Sequence, residues 1–171
     1  WAAATDHASS AVVQNNSWGV DWEIDDLQSL ISSLGISNAA GISAAYDVIG
    51  GFIVTTTSIN NYVDALDDFQ DHGVVVYALS NVLPDADISA GLPEFFPELA
   101  EAWIAAVNVN ITGTLANPSY QIMSAPCGQA GSYCLGGDGW SVSGPGGDGN
   151  GEYVVQISGT SFVAPQISGA V

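Results

Sequence analysis

Near the end of the chain the run Gly159-Thr160-Ser161-Phe162-Val163-Ala164-Pro165-Gln166-Ile167-Ser168-Gly169 sets a glycine-flanked serine directly before an apolar helix. A hydroxyl in that position meets the unpaired N–H groups of the first helical turn and the positive end of the macrodipole, both of which favour negative charge as it develops. That is the setting of a nucleophile. Gly159 permits a close approach of strand to helix, and Pro165 is expected about one turn from the start, where proline is better tolerated than in a helix interior. The simpler reading of Gly-Thr-Ser is a helix cap, since Ser and Thr commonly accept N–H groups at helix starts.

Other segments give the serine a context. Ala11-Val12-Val13-Gln14-Asn15-Asn16-Ser17-Trp18-Gly19 reads as a buried strand with Ser17-Trp18-Gly19 at its end, and Val74-Val75-Val76-Tyr77-Ala78-Leu79-Ser80-Asn81 as a second strand ending in an asparagine. In this order, with the Ser–x–x–x–Pro spacing of the last helix, the chain resembles the subtilisin-like serine proteases. The pieces Leu92-Pro93, Pro97-Glu98-Leu99, Trp103-Ile104-Ala105-Ala106-Val107, Cys127-Gly128 and Cys134-Leu135 are most similar to the autotransporter-type members of that family. The resemblance implies a serine endopeptidase acting on protein or peptide substrates, with Ser161 as nucleophile and the Asn81 amide in the oxyanion hole. It also implies that Ser17, Trp18 and Gly19, with Ala78, Leu79 and Ser80, bind extended substrate, and that the protein works outside the cell or on a bacterial surface. The alternative is a non-catalytic passenger module that keeps the scaffold for adhesion or display.

The chain also departs from the family pattern. Leu79-Ser80-Asn81 stands where Ala-Gly-Asn is usual, Gly137-Asp138-Gly139 where Ala-Pro-Gly is usual, and Gln166 where a histidine often follows the helix proline. The first two changes bear on the shape of the pocket for the residue before the scissile bond; Gln166 is expected to be structural. No Asp-Ser-Gly, Asp-Thr-Gly or His-Gly-Thr segment occurs, so the triad aspartate and histidine are expected upstream, and residues 1–171 are read as the carboxyl-terminal part of a catalytic domain truncated at both ends. His7 and His72 lack the Gly-Thr context of the family's base, and His72, before Gly73, reads as a helix end.

Composition narrows the classes further. The chain has 18 Asp plus Glu, two His and no Lys or Arg, where ordinary usage would supply about 20 basic residues. Neither nucleic-acid binding through phosphate neutralisation nor adhesion to an anionic membrane surface is therefore expected. At 47% hydrophobic residues the chain has the material for a core, unlike an acidic disordered tail. No apolar run reaches the ~18 residues of a membrane span, so no direct membrane insertion is expected. The chain also offers no bond to trypsin-like proteases. Carboxylates among like charges are expected to hold protons more tightly when folded, so that stability falls as pH rises.

Cys127 and Cys134 are close enough to close a small loop, and the even count with the exported context favours a disulfide over a metal site lacking further His or Cys ligands. No metal or other cofactor is expected. The glycine-rich stretch Gly136–Gly151, with Asp138 and Asp148, reads as a surface loop, with a calcium loop as the alternative.

The elements that must position these residues follow from periodicity. Strands are expected near Val12–Asn16, Gly73–Leu79 and Ile104–Asn108, an edge ribbon before Cys127 and at Tyr153–Ile157, and helices near Ile59–Asp71 and after Ser161. Ile24, Leu27, Leu30, Ile31 and Leu34 form a helical stripe within the otherwise less legible stretch Asp21–Gly51. Continuous apolar strands belong to a sheet covered on both faces. The expected fold is α/β, subtilisin-like, with a mostly parallel sheet, right-handed crossovers and helices on both faces.

Overall fold

The computed structural model describes residues 1–8, 10–51, 53–146 and 153–171. In chain order the elements are α1 (Ala2–His7), β1 (Val13–Asn16), α2 (Ile24–Leu34), α3 (Asn38–Val48), α4 (Thr56–Gln70), β2 (Val74–Ala78), β3 (Trp103–Thr114), β4 (Asn117–Ile122), β5 (Cys134–Gly137), β6 (Val142–Gly146), β7 (Tyr153–Ile157) and α5 (Thr160–Ala170). Strands β1, β2, β3 and β5 lie side by side in that order and all pair in parallel. The distal half of β3 continues beyond them and pairs antiparallel with β4. The fold is therefore mixed α/β with a mostly parallel sheet.

Side-chain alternation along the strands divides the core in two, because successive residues of a strand point to opposite faces. Val75 and Tyr77 of β2 join Trp103, Ala105 and Val107 of β3 in the larger cluster, packed with the apolar faces of α2, α3 and α4. Val76, Ala78 and Ala106 face the other way, onto Val163, Ala164 and Ile167 of α5. Both faces being covered explains why Val74-Val75-Val76-Tyr77 is apolar without a break.

Local chemistry sets the helix boundaries. The side chains of Ser37 and Thr55 accept the N–H groups of Ala40 and Ser58 at the starts of α3 and α4. Asp25 and Asp26 lie in the first turn of α2, where the dipole favours them, and Gly35 ends that helix in the left-handed conformation at φ 61°. Ile24, Leu27 and Ile31 of the expected stripe are buried and Leu30 is half-buried, but Leu34 is exposed, since the helix ends there and turns away at Gly35. Helices α1 and α3 had no clear signal in the sequence. The expected ribbon also differs: β7 pairs with β6, whereas the segment before Cys127 pairs with β3. Cys127 and Cys134 form a disulfide that ties the 3-10 turn at Gly128–Tyr133 to β5. Among the described residues no helix is long and apolar enough to cross a membrane.

Candidate active site

The parallel topology brings the C-terminal ends of β1 and β2 beside the N-terminus of α5. Between them lies a cavity of about 290 Å³ lined by Ser17, Trp18, Gly19, Asp21, Ala78, Leu79, Ser80, Asn81, Val82, Asp87, Thr160 and Ser161. Every residue singled out in the sequence as nucleophile, oxyanion donor or substrate edge lines this one space.

Ser161 is the second residue of α5, and the N-cap is Gly159, which makes no side-chain cap bond. The serine is therefore not a cap. Its Oγ donates to the Ser17 carbonyl at 3.3 Å, and Ser17 Oγ donates to the Ser161 carbonyl at 3.3 Å. Pro165 explains the second bond. It is the sixth residue of α5, deeper than the sequence suggested, and its missing N–H leaves the Ser161 carbonyl without its intrahelical donor, a vacancy that Ser17 fills.

Asn81 is joined to the same helix start. Its Oδ1 accepts the Thr160 N–H at 2.9 Å and lies 3.2 Å from Thr160 Oγ1, while that hydroxyl donates to the Leu79 carbonyl at 2.5 Å. This arrangement assigns oxygen and nitrogen of the Asn81 amide, and leaves Nδ2 as a donor with no protein acceptor among the described residues. The Phe162 N–H is taken by the Gly159 carbonyl at 3.1 Å. The Ser161 N–H between them has no acceptor among the described residues. A hydroxyl and two donors without protein acceptors thus belong to residues lining one cavity, a composition suited to holding a carbonyl oxygen that gains charge.

Gly137 and Gly139 have a different role from the one their departure suggested. They do not line the cavity. Gly139 N–H donates to Asn108 Oδ1 at 3.0 Å and its carbonyl accepts the Gly159 N–H at 3.0 Å. A Cβ on Gly139 would come within 2.6 Å of the Gly159 carbonyl oxygen and of Val163. The glycines allow this loop to lie directly under the start of α5. Asn108, fully buried, also donates to Ser158 Oγ at 3.1 Å, and Gln166 Nε2 donates to the Asp138 carbonyl at 3.0 Å.

The floor of the cavity comes from a segment the sequence did not single out. Asp87 is 1% exposed, and its carboxylate accepts the N–H groups of Ser80 at 2.7 Å, Ser89 at 2.9 Å and Ala90 at 3.1 Å. Burial, with a smaller contribution from nearby Asp21, pushes its carboxyl up to about 6 despite those three donors. Asp87 thus holds its proton more tightly when folded, but mainly through desolvation rather than through the like charge on which the expectation from composition rested. Ser89 Oγ accepts the Val20 N–H at 2.9 Å and lies 2.9 Å from the Tyr46 hydroxyl, fixing the floor to the Ser17–Val20 edge. Ser80 turns the chain by accepting the N–H groups of Val82 and Leu83 at its hydroxyl. An aspartate in the turn-rich run Leu83-Pro84-Asp85-Ala86-Asp87 carries no mark of burial, so nothing in the sequence distinguishes Asp87 from Asp85.

Neither histidine lines the cavity. His7 is exposed on α1, and His72 packs its ring on Phe69, one residue beyond the Asp71 cap of α4. Among the described residues no group of three or more His, Cys, Asp or Glu is placed to hold a metal ion. Asp138 accepts the Trp140 N–H at 3.2 Å, and Asp148 lies outside the described residues. Neither the models of known protein families nor the curated proteins give a match to this chain.

Proposed function

We propose that this chain is the nucleophile-bearing part of a subtilisin-type serine endopeptidase. The observation that carries the reading is that Ser161 and Asn81, whose backbone N–H and side-chain amide nitrogen have no acceptor among the described residues, line one cavity together with the Ser17–Gly19 edge. In the proposed reaction Ser161 Oγ attacks a peptide carbonyl while a histidine takes its proton. The two donors hold the oxyanion, the histidine returns the proton to the leaving amine, and water hydrolyses the acyl-serine by the same route reversed. Extended substrate pairs along Ser17–Gly19 as an added strand. The reading requires a histidine and its orienting aspartate from outside residues 1–171, and places the protein outside the cell or at a bacterial surface, where its disulfide persists.

One observation favours the second reading, a non-catalytic display or adhesion module on the same scaffold: Ser161 Oγ donates to a backbone carbonyl rather than to a base. A fluorophosphonate probe applied to the full natural polypeptide separates the two. Labelling that disappears in Ser161→Ala is the expected result. A folded protein that stays unlabelled overturns the protease reading in favour of the module.

A further inference from the structure

The cavity beside Ser161 combines apolar walls with a buried acid. Trp18, Leu79 and Val82 supply the walls, and the Trp18 ring is braced by Tyr77 at 5.6 Å and Tyr46 at 6.4 Å between ring centroids. Asp87 lies within, buried, and Asp21 lines the same space but is exposed. A volume of about 290 Å³ is at the small end for ligand pockets and suits one extended side chain.

The electrostatics of that space are incomplete. A carboxylate has about four lone-pair sites, and Asp87 fills three with backbone N–H groups, two on Oδ1 and one on Oδ2. No lysine or arginine exists anywhere in the chain to neutralise it. A buried carboxylate without a cation is costly, and the lifted carboxyl of Asp87 expresses that cost. An aliphatic stem ending in a cation would cover the apolar walls and bring the missing charge to the floor.

We propose that this cavity is the binding pocket for a lysine or arginine side chain of the substrate, with Asp87 as its buried selector and Asp21 at its mouth. The proposal rests on the protease reading for its substrate but on the cavity alone for its ligand. The composition of the chain supports it independently. An endopeptidase selecting Lys or Arg before the scissile bond finds no such bond among these 171 residues. Self-digestion of this segment is thereby excluded by composition, whatever the folded state.

The test uses the full natural polypeptide at pH 7.5 and two measurements. Benzamidine, a planar cation, is titrated against tryptophan fluorescence and by calorimetry, with neutral benzamide as the isosteric control. Saturable benzamidine binding, at least about tenfold tighter than benzamide, is expected in the wild type and in Ser161→Ala. Asp87→Asn is expected to abolish it and Asp21→Asn, at an exposed position, to weaken it severalfold. Peptides differing only in the residue before the scissile bond then give kcat/KM, with Lys and Arg expected to exceed Leu and Glu by about 100-fold or more.

Equal affinity for benzamidine and benzamide in the wild type overturns the proposal, and needs no variant to fold. So does a labelled, active protein that prefers Leu or Glu. Absence of fluorophosphonate labelling with benzamidine binding intact instead refutes the protease reading and leaves a pocket for basic side chains on a display module.

Discussion

At the level of single residues, Asn81 serves the helix start with one end of its amide, while the other end has no acceptor among the described residues. The two ends can be tested apart. Asn81→Asp keeps an oxygen for the Thr160 N–H but replaces the donor with an acceptor, so the proposed oxyanion site should lose about 10²–10³ in kcat with thermal stability nearly unchanged. A loss of folding equal to that of Asn81→Ala would show the residue to be purely structural. Asp87 gives a prediction with a defined sign. Folding lifts its carboxyl from the usual 3.8 to about 6, so the native state binds the proton more tightly than the unfolded chain. That contribution is complete below about pH 4 and is lost as pH rises through about 6, a change of roughly 3 kcal/mol. Urea unfolding of wild type between pH 4 and 7.5 should show this decline, and Asp87→Asn should flatten it by that amount; parallel curves would contradict the assignment.

Among elements, the junction between β2 and α5 matters most. Thr160 is 1% exposed and its hydroxyl donates to the Leu79 carbonyl at the end of β2. Thr160→Val retains the shape and removes the donor, leaving that carbonyl unpaired at a cost of about 1–3 kcal/mol. Thr160→Ser should retain most of the bond. Denaturation midpoints of the two variants provide the check, and equal destabilisation would point to the methyl group rather than the hydroxyl. The Gly137–Gly139 loop belongs to the same junction, because its backbone holds Gly159.

For the molecule as a whole, a formal charge of −18 with no Lys or Arg makes repulsion the dominant long-range term. Raising salt from about 10 mM to 1 M shortens the screening length from about 30 Å to 3 Å. The thermal midpoint should therefore rise with salt at pH 8, and rise less at pH 4, where many carboxylates are protonated. Calorimetry showing equal salt effects at both values would indicate that the charges are too widely spaced to affect the fold.

Chemical types and local periodicity were legible from the sequence. Val74-Val75-Val76-Tyr77 required a sheet covered on both faces, Gly159-Thr160-Ser161 required a helix start, and the stripe from Ile24 to Ile31 required an amphipathic helix; each rests on interactions within a few residues. Helix α3 was illegible because buried Ala39, Gly41, Ile42, Ser43, Ala45 and Tyr46 mix small and polar residues into its face, and their burial comes from packing against other helices. Only the tertiary structure decided that Ser17, Asn81 and Ser161 share one cavity, since parallel pairing of β1 with β2 and the seating of α5 across them are long-range contacts. Only it revealed Asp87, for the sequence records that a carboxyl is present, whereas burial depends on what the rest of the chain folds around it.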